Sequence, residues 1–116
     1  MFRPPLELLF TGSFDEAKQK AKMENRYLLV NVQKETVFNS QLLNRDTWSN
    51  EAVKDLVRRY YLLWQVYEDT RKCADYSMWY QAYEMPHVAI LDPRTGERMA
   101  VKEGHIPPEV MRSWRS

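Results

Sequence analysis

The fold is read from Met85-Pro86-His87-Val88-Ala89-Ile90-Leu91-Asp92-Pro93-Arg94-Thr95-Gly96. A proline can begin a strand, because the first residue can spare its N–H. An X-Pro bond can also be cis, which turns the backbone sharply beside whatever lies opposite. Val88 to Leu91 is apolar enough for a buried strand. Asp92 to Gly96 reads as a tight reversal, with Pro93 presetting one turn position and Gly96 closing it. Arg98 to Lys102 then forms a returning strand, necessarily antiparallel across so short a turn.

Working back from that hairpin, two further strands are predicted. Tyr27 to Val32 is almost continuously apolar and rich in aromatic and aliphatic residues. Tyr61 to Tyr67 reads the same way. Helices separate these strands. Ser13 with Glu16 matches a capping box, and Phe14, Ala17 and Ala21 share a face until Asn25 stops the helix. A second helical stretch carries Phe38, Leu42 and Leu43, followed by a loop at Asn44-Arg45-Asp46-Thr47. Ser49 or Asn50 caps a third, with Val53, Leu56, Val57 and Tyr60 at helical spacing. Asp69 or Thr70 caps a fourth from Arg71 to about Tyr83, with Cys73, Tyr76, Tyr80 and Tyr83 as its stripe. Pro107-Pro108 opens the last, with Val110, Met111 and Trp114 as its apolar face. Ahead of all these, Phe2 to Pro5 is expected to be extended, and Leu6 to Phe10 a docked turn. Strands separated by helices favour parallel pairing. The expected product is an α/β domain: a mixed four-stranded sheet flanked by helices on both faces.

With 116 residues the chain is expected to form one domain over 1–116 with a single core. It ends within or soon after the last helix, which suggests a segment of a longer multidomain protein. Seventeen basic and sixteen acidic residues leave a formal net charge of +1, and no charge block is long. That argues against a broad electrostatic footprint for nucleic acid or a membrane surface. No apolar run is long enough to span a bilayer, and no signal-like segment opens the chain. Cys73 is the only cysteine, so no intramolecular disulfide can form. This pattern fits a reducing compartment, cytoplasm or nucleus.

The element order, with a proline at the third strand, resembles the thioredoxin fold. Three strings make the resemblance narrower: Leu43-Asn44-Arg45-Asp46-Thr47-Trp48-Ser49-Asn50-Glu51-Ala52-Val53, Trp64-Gln65-Val66-Tyr67, and Ala89-Ile90-Leu91-Asp92-Pro93-Arg94-Thr95-Gly96. They look like the UAS domain of UBX-domain proteins, and the likeness runs from Arg3-Pro4-Pro5 onward. The resemblance implies a non-catalytic thioredoxin-like module. In that family, adaptors recruit ubiquitylated substrates to the valosin-containing AAA ATPase, and flanking domains make the ubiquitin and ATPase contacts. Some UAS domains bind long-chain unsaturated fatty acids and oligomerise in response, so lipid sensing is a second implication.

The resemblance also says where to look for chemistry. Redox-active relatives place a Cys-x-x-Cys pair after the first central strand, where a helix N-terminus lowers the thiol pKa. The matching stretch, Val32 to Phe38, contains no sulfur. Thr36 offers a hydroxyl, but no His or carboxylate partner is evident from spacing. Cys73 lies on another predicted helix and reads as a small core hydrophobe, which disfavours a monothiol oxidoreductase. No catalytic residue, metal or cofactor is expected. His87 and His105 do not make a metal-ligand spacing. His87 reads first as a strand-end residue bonded to backbone, with a pocket role as the sharper alternative; His105 reads as a solvated turn residue. Lys18, Lys20 and Lys22, and Arg58-Arg59, read as solvated faces. Trp48 reads as core or staple. Trp79 either widens the buried stripe of its helix or marks a contact surface. The expected binding residues border a vestigial groove: Gln33, Lys34, Glu35 and Thr36 on one side, Met85, Pro86 and His87 on the other.

Overall fold

A computed structural model describes residues 3–114. The expectation for Phe2 therefore lies outside the described residues. The chain runs through α1 (Phe14–Met23), β1 (Tyr27–Gln33), α2 (Phe38–Leu42), a π-helical segment (Leu43–Trp48), α3 (Glu51–Tyr60), β2 (Tyr61–Tyr67), α4 (Arg71–Ser77), β3 (His87–Leu91), β4 (Arg98–Glu103) and α5 (Pro108–Ser113). The sheet order is β2-β1-β3-β4. β1 and β2 are parallel, while β3 is antiparallel to both β1 and β4. This is the thioredoxin-like α/β fold expected from the sequence.

Because successive strand residues point to opposite faces, the sheet divides the core in two. Leu28, Val30 and Val32 of β1, with Leu62, Trp64 and Val66 of β2, pack against Phe14, Ala17 and Ala21 of α1 and Cys73 and Tyr76 of α4. On the other face, Leu29, Leu63, Val88 and Ile90 meet Trp48, Val53, Val57 and Met111. Full burial of one large apolar side chain contributes roughly 1.5–3 kcal/mol, so both faces resist small substitutions.

Local chemistry explains most boundaries. The Ser13–Glu16 capping box forms, and Asn25 takes φ 56° just after α1. Asn50 rather than Ser49 caps α3, its Oδ1 accepting from the Val53 N–H at 3.1 Å. Thr70 rather than Asp69 caps α4. Gly96 closes the β3–β4 turn at φ 79°, a conformation that favours glycine.

Three expectations need correction. Residues 44–47 are not a loop but part of the π-helical segment, whose i→i+5 turn places Leu43, Asn44, Thr47 and Trp48 all in the interior. The Thr47 hydroxyl donates to the Ile106 carbonyl, which fixes that segment beside α5. α4 stops at Ser77 instead of running to about Tyr83. Tyr80 still stacks on Tyr76 with centroids 5.0 Å apart, so the aromatic spacing survives as a contact within a turn. Tyr83 is exposed, as are Tyr60 and Val110, each placed by helical spacing on an apolar face.

Candidate functional site

The junction of β1 and α2 is where thiol chemistry would be expected. Gln33 ends β1 and Val37 is the N-cap of α2. Between them a turn closes through Val37 N–H to Lys34 O at 2.9 Å. The Lys34 N–H donates to the Ser40 hydroxyl at 3.1 Å. Neither Val37 nor any residue through Ser40 carries sulfur. The Met85-Pro86 bond is cis. Lys34, Val37, Asn39, Glu68, Tyr83, Glu84 and Met85 line an open depression of about 360 Å³.

The seven residues singled out from the sequence divide by exposure. Lys34, Glu35 and Thr36 are on the surface. Met85 and Pro86 are buried, although Met85 still borders the depression. Gln33 and His87 are within 1% of complete burial. Neither presents its side chain to the surface.

Gln33 belongs to a network of neutral amides beneath the junction. Its Nε2 donates to Asn31 Oδ1 at 2.9 Å and to Asn44 Oδ1 at 3.0 Å. Gln65 Nε2 donates to the same two oxygens. The Trp48 indole N–H donates to Asn31 Oδ1 at 3.0 Å. Asn31 Nδ2 reaches the His87 carbonyl across the strand pair. Buried polar groups must be satisfied this way or cost several kcal/mol in total. The sequence reading missed Asn31, Asn44 and Gln65. Their signal was polar residues at inward positions of two otherwise apolar strands and one interior turn.

His87 lies on the opposite face of the sheet and corrects the backbone-bonded reading. Its ring bonds two side chains: Nε2 to the Tyr76 hydroxyl at 2.8 Å, and Nδ1 to Glu103 Oε2 at 2.7 Å. Arg98 Nη1 donates to the Tyr76 oxygen at 3.2 Å and to the Gln81 carbonyl at 2.6 Å. Burial pushes the Tyr76 phenol up to about 12, so it keeps its proton and donates to His87 Nε2. Burial also lowers the His87 pKa, against the pull of Glu103, and keeps the ring neutral near pH 7. Burial works against the Glu103 charge, yet hydrogen bonds from His87 and from the Tyr83 and Glu84 backbone outweigh it and hold the carboxyl below its ordinary value. The donors therefore run in one direction: Arg98 to Tyr76, Tyr76 to His87, His87 to Glu103. Glu103 also accepts from the Tyr83 N–H at 2.9 Å. The two ends of this chain thus hold the segment between α4 and β3 at Gln81 and at Tyr83.

Cys73 sits in α4 with its thiol buried and 3.7 Å from the Ser77 hydroxyl. Burial pushes its pKa up, opposite to what a thiolate nucleophile needs. His105 is not a solvated turn residue: its Nε2 lies 3.6 Å from Asp46 Oδ2 and most of its side chain is covered. Among the described residues, no group of three or more His, Cys, Asp or Glu could hold a metal ion.

A thioredoxin-like family model matches residues 10–93, which takes in the β1–α2 junction and the cis-proline strand. The chain belongs to the thioredoxin-like family. Within it, the most informative relatives are UBX proteins. Plant UBX domain-containing protein 7 of Arabidopsis thaliana is 41% identical over 109 residues, covering 94% of this chain and 23% of the relative. UBX domain-containing protein 2 of Schizosaccharomyces pombe is 42% identical over 99 residues, covering 85% and 23%. The UBX domain-containing protein 7 homolog of Dictyostelium discoideum is 39% identical over 111 residues, covering 96% and 22%. The thioredoxin-like domain described here is homologous to the corresponding region of these proteins, consistent with a UAS domain. It spans less than a quarter of their length.

Solved structures agree on the fold. A thioredoxin from Thermus thermophilus superposes with a TM-score of 0.75 at 22% identity, covering 88% of this chain and 80% of that one. The oxidised C-terminal domain of Neisseria meningitidis DsbD gives 0.70 at 13% identity, covering 98% and 95%. At such identities the likeness concerns the fold. The thioredoxin-like domain has one cysteine and no Cys-x-x-Cys pair.

Proposed function

We propose that this domain is a non-catalytic protein-interaction module of a UBX-type adaptor. In this reading the adaptor links ubiquitylated substrates to the valosin-containing AAA ATPase, with flanking domains making the ubiquitin and ATPase contacts. The observation that carries the reading is the identity of about 40% to UBX domain-containing proteins along nearly the whole chain. Support comes from the β1–α2 junction, where no residue from Val32 through Ser40 carries sulfur and a neutral amide network lies beneath. Thiol–disulfide exchange needs an accessible thiolate, and the single thiol here is buried.

The test is a quantitative pull-down from cell lysate with the full-length adaptor and a version lacking residues 10–93. Loss of a defined set of substrate or adaptor proteins on deletion is the expected result. An unchanged partner set would remove the support for an interaction role.

A further inference from the structure

At the end of the sheet opposite the β1–α2 junction, where β1 begins at Tyr27, the last turn of α1 and the β3–β4 turn enclose a cavity of about 280 Å³. Lys22, Arg26 and Arg94 line it, and Asp92 is the one carboxylate among the described residues of its wall. Asn25 and Tyr27 add an amide and a phenol. Arg26 is fixed in place. Asn25, at φ 56°, turns the chain out of α1, and the Arg26 N–H closes on the Ala21 carbonyl at 2.9 Å. Its Nη1 donates to the Arg58 carbonyl at 3.0 Å and its Nη2 to Glu24 Oε1 at 2.7 Å. Its Nε–H is buried without an acceptor, an uncommon state for a charged donor. A guanidinium already held this way loses little freedom when it binds an oxyanion.

Charge selects the ligand. Asp92 is occupied by its own turn, its Oδ1 accepting from the Arg94 N–H at 2.9 Å and from Arg94 Nε at 3.4 Å. Lys22 is exposed and makes no ion pair among the described residues. Beyond the wall, Glu24 is shared by Lys20 and Arg26, and Asp55 pairs with Arg58. Exposed Arg59 and Glu97 carry one charge of each sign. The surplus of positive charge therefore falls on the cavity itself. The carbonyl ends of α1 and α3 would oppose an anion. However, the Ala21, Lys22 and Arg58 carbonyls already accept from N–H groups of Arg26 and Asn25. Clefts for drug-sized ligands run to roughly 300–1,000 Å³, so this one suits a compact group on a short stem.

We propose that this cavity binds a phosphomonoester carried on a side chain of a partner protein, held by Lys22, Arg26 and Arg94. A phosphoryl group offers three strong acceptor oxygens and nearly two negative charges near neutral pH. That matches cationic donors converging from two turns, and the planar fork of arginine suits phosphate geometry. The inference rests on the interaction reading above and names the group that is recognised.

Three probes test it: a short peptide with a central phosphoserine, the same peptide with Glu in that place, and inorganic phosphate. Each is titrated into the ¹⁵N-labelled chain at about 0.15 M salt, where long-range surface attraction is screened. The phosphopeptide is expected to move the resonances of Lys22, Arg26 and Arg94, including the Arg26 Nε–H. It should bind about tenfold or more tighter than the Glu peptide, and inorganic phosphate should move the same resonances more weakly. Lys22→Ala and Arg94→Ala should each weaken the phosphopeptide about tenfold, the loss of one charge-assisted hydrogen bond. Both side chains are exposed, so neither change threatens the fold. Equal binding of the Glu peptide would overturn the phosphoryl class. Binding of inorganic phosphate without the phosphopeptide would overturn the partner-borne source. Shifts scattered over surface lysines and arginines, affinity unchanged by both substitutions, or no binding at all would overturn the site. Each of these leaves the interaction reading standing; that reading is decided separately, by the deletion pull-down.

Discussion

Tyr76→Phe is the most decisive single change, because it deletes one oxygen from the middle of the buried chain. The ring stays, so its edge contact with Phe14 at 5.5 Å and its stacking on Tyr80 at 5.0 Å are kept. What disappears is the donor 2.8 Å from His87 Nε2 and the acceptor 3.2 Å from Arg98 Nη1. Arg98 retains the Gln81 carbonyl. His87 Nε2 is left buried without a donor. An ordinary lost hydrogen bond costs about 1 kcal/mol, and a stranded buried partner raises this to roughly 1–3 kcal/mol. The expected loss is about 2 kcal/mol, or a melting temperature lower by about 8 °C for a domain of this size. Urea unfolding at pH 7 measures it. The sharper assay is a double-mutant cycle with His87→Leu. If the two groups interact as drawn, the double variant is less destabilised than the sum of the singles by about 1 kcal/mol or more. Additivity within about 0.5 kcal/mol, or a neutral Tyr76→Phe, would refute the directional chain.

Acid should destabilise the fold in two stages. His87 has a folded pKa below its ordinary 6.5, so the unfolded chain takes up a proton first; its contribution is complete above about pH 6.5 and is lost as pH falls through the folded value. Glu103, also lowered, continues the loss below about 4.5. The urea midpoint followed from pH 7 to pH 4 should therefore fall, and His87→Gln should flatten the upper stage. Cys73→Ser should leave insulin-disulfide reduction at the buffer rate, the same as the unaltered chain. The Cys73 thiol should also react with an aromatic disulfide reagent far faster in urea than in the native state. Asn50→Ala removes the side-chain cap of α3 and should cost about 1 kcal/mol in urea unfolding.

Periodicity served well wherever one apolar face met one layer. The four strands lie within a residue of where alternation and apolar runs placed them; capping residues placed the starts of α1, α3 and α4, and the proline pair that of α5. It failed where the backbone left ordinary geometry. Asn44-Arg45-Asp46-Thr47 is polar enough to read as a loop, yet a π turn inverts that pattern by turning Asn44 and Thr47 inward. Tyr80 and Tyr83 keep helical spacing after the helix has ended, because the chain must turn back to reach Pro86. Of the seven residues singled out for a groove, only Lys34 and Met85 line the depression beside the β1–α2 junction. Gln33 and His87 fall at its edges in sequence, and only the pairing of β1 with β3 shows that both turn inward, to opposite faces of the sheet.

That division also bears on a thioredoxin-like scaffold that lacks the Cys-x-x-Cys pair. Disulfide exchange needs a nucleophile with a tuned pKa and a route for its proton. On the α3 face beneath the β1–α2 junction, the groups available are Asn31, Gln33, Asn44, Gln65 and Trp48, none of which titrates near neutral pH. Arg98, Tyr76, His87 and Glu103 lie on the other face, and their hydrogen bonds go to Gln81, Tyr83 and one another. The polar chemistry of this domain has been turned toward holding the cis-proline strand and the aromatic segment before it. Glu103 and Arg98 of β4 thereby tie the segment between α4 and β3 to the sheet at Tyr83 and Gln81.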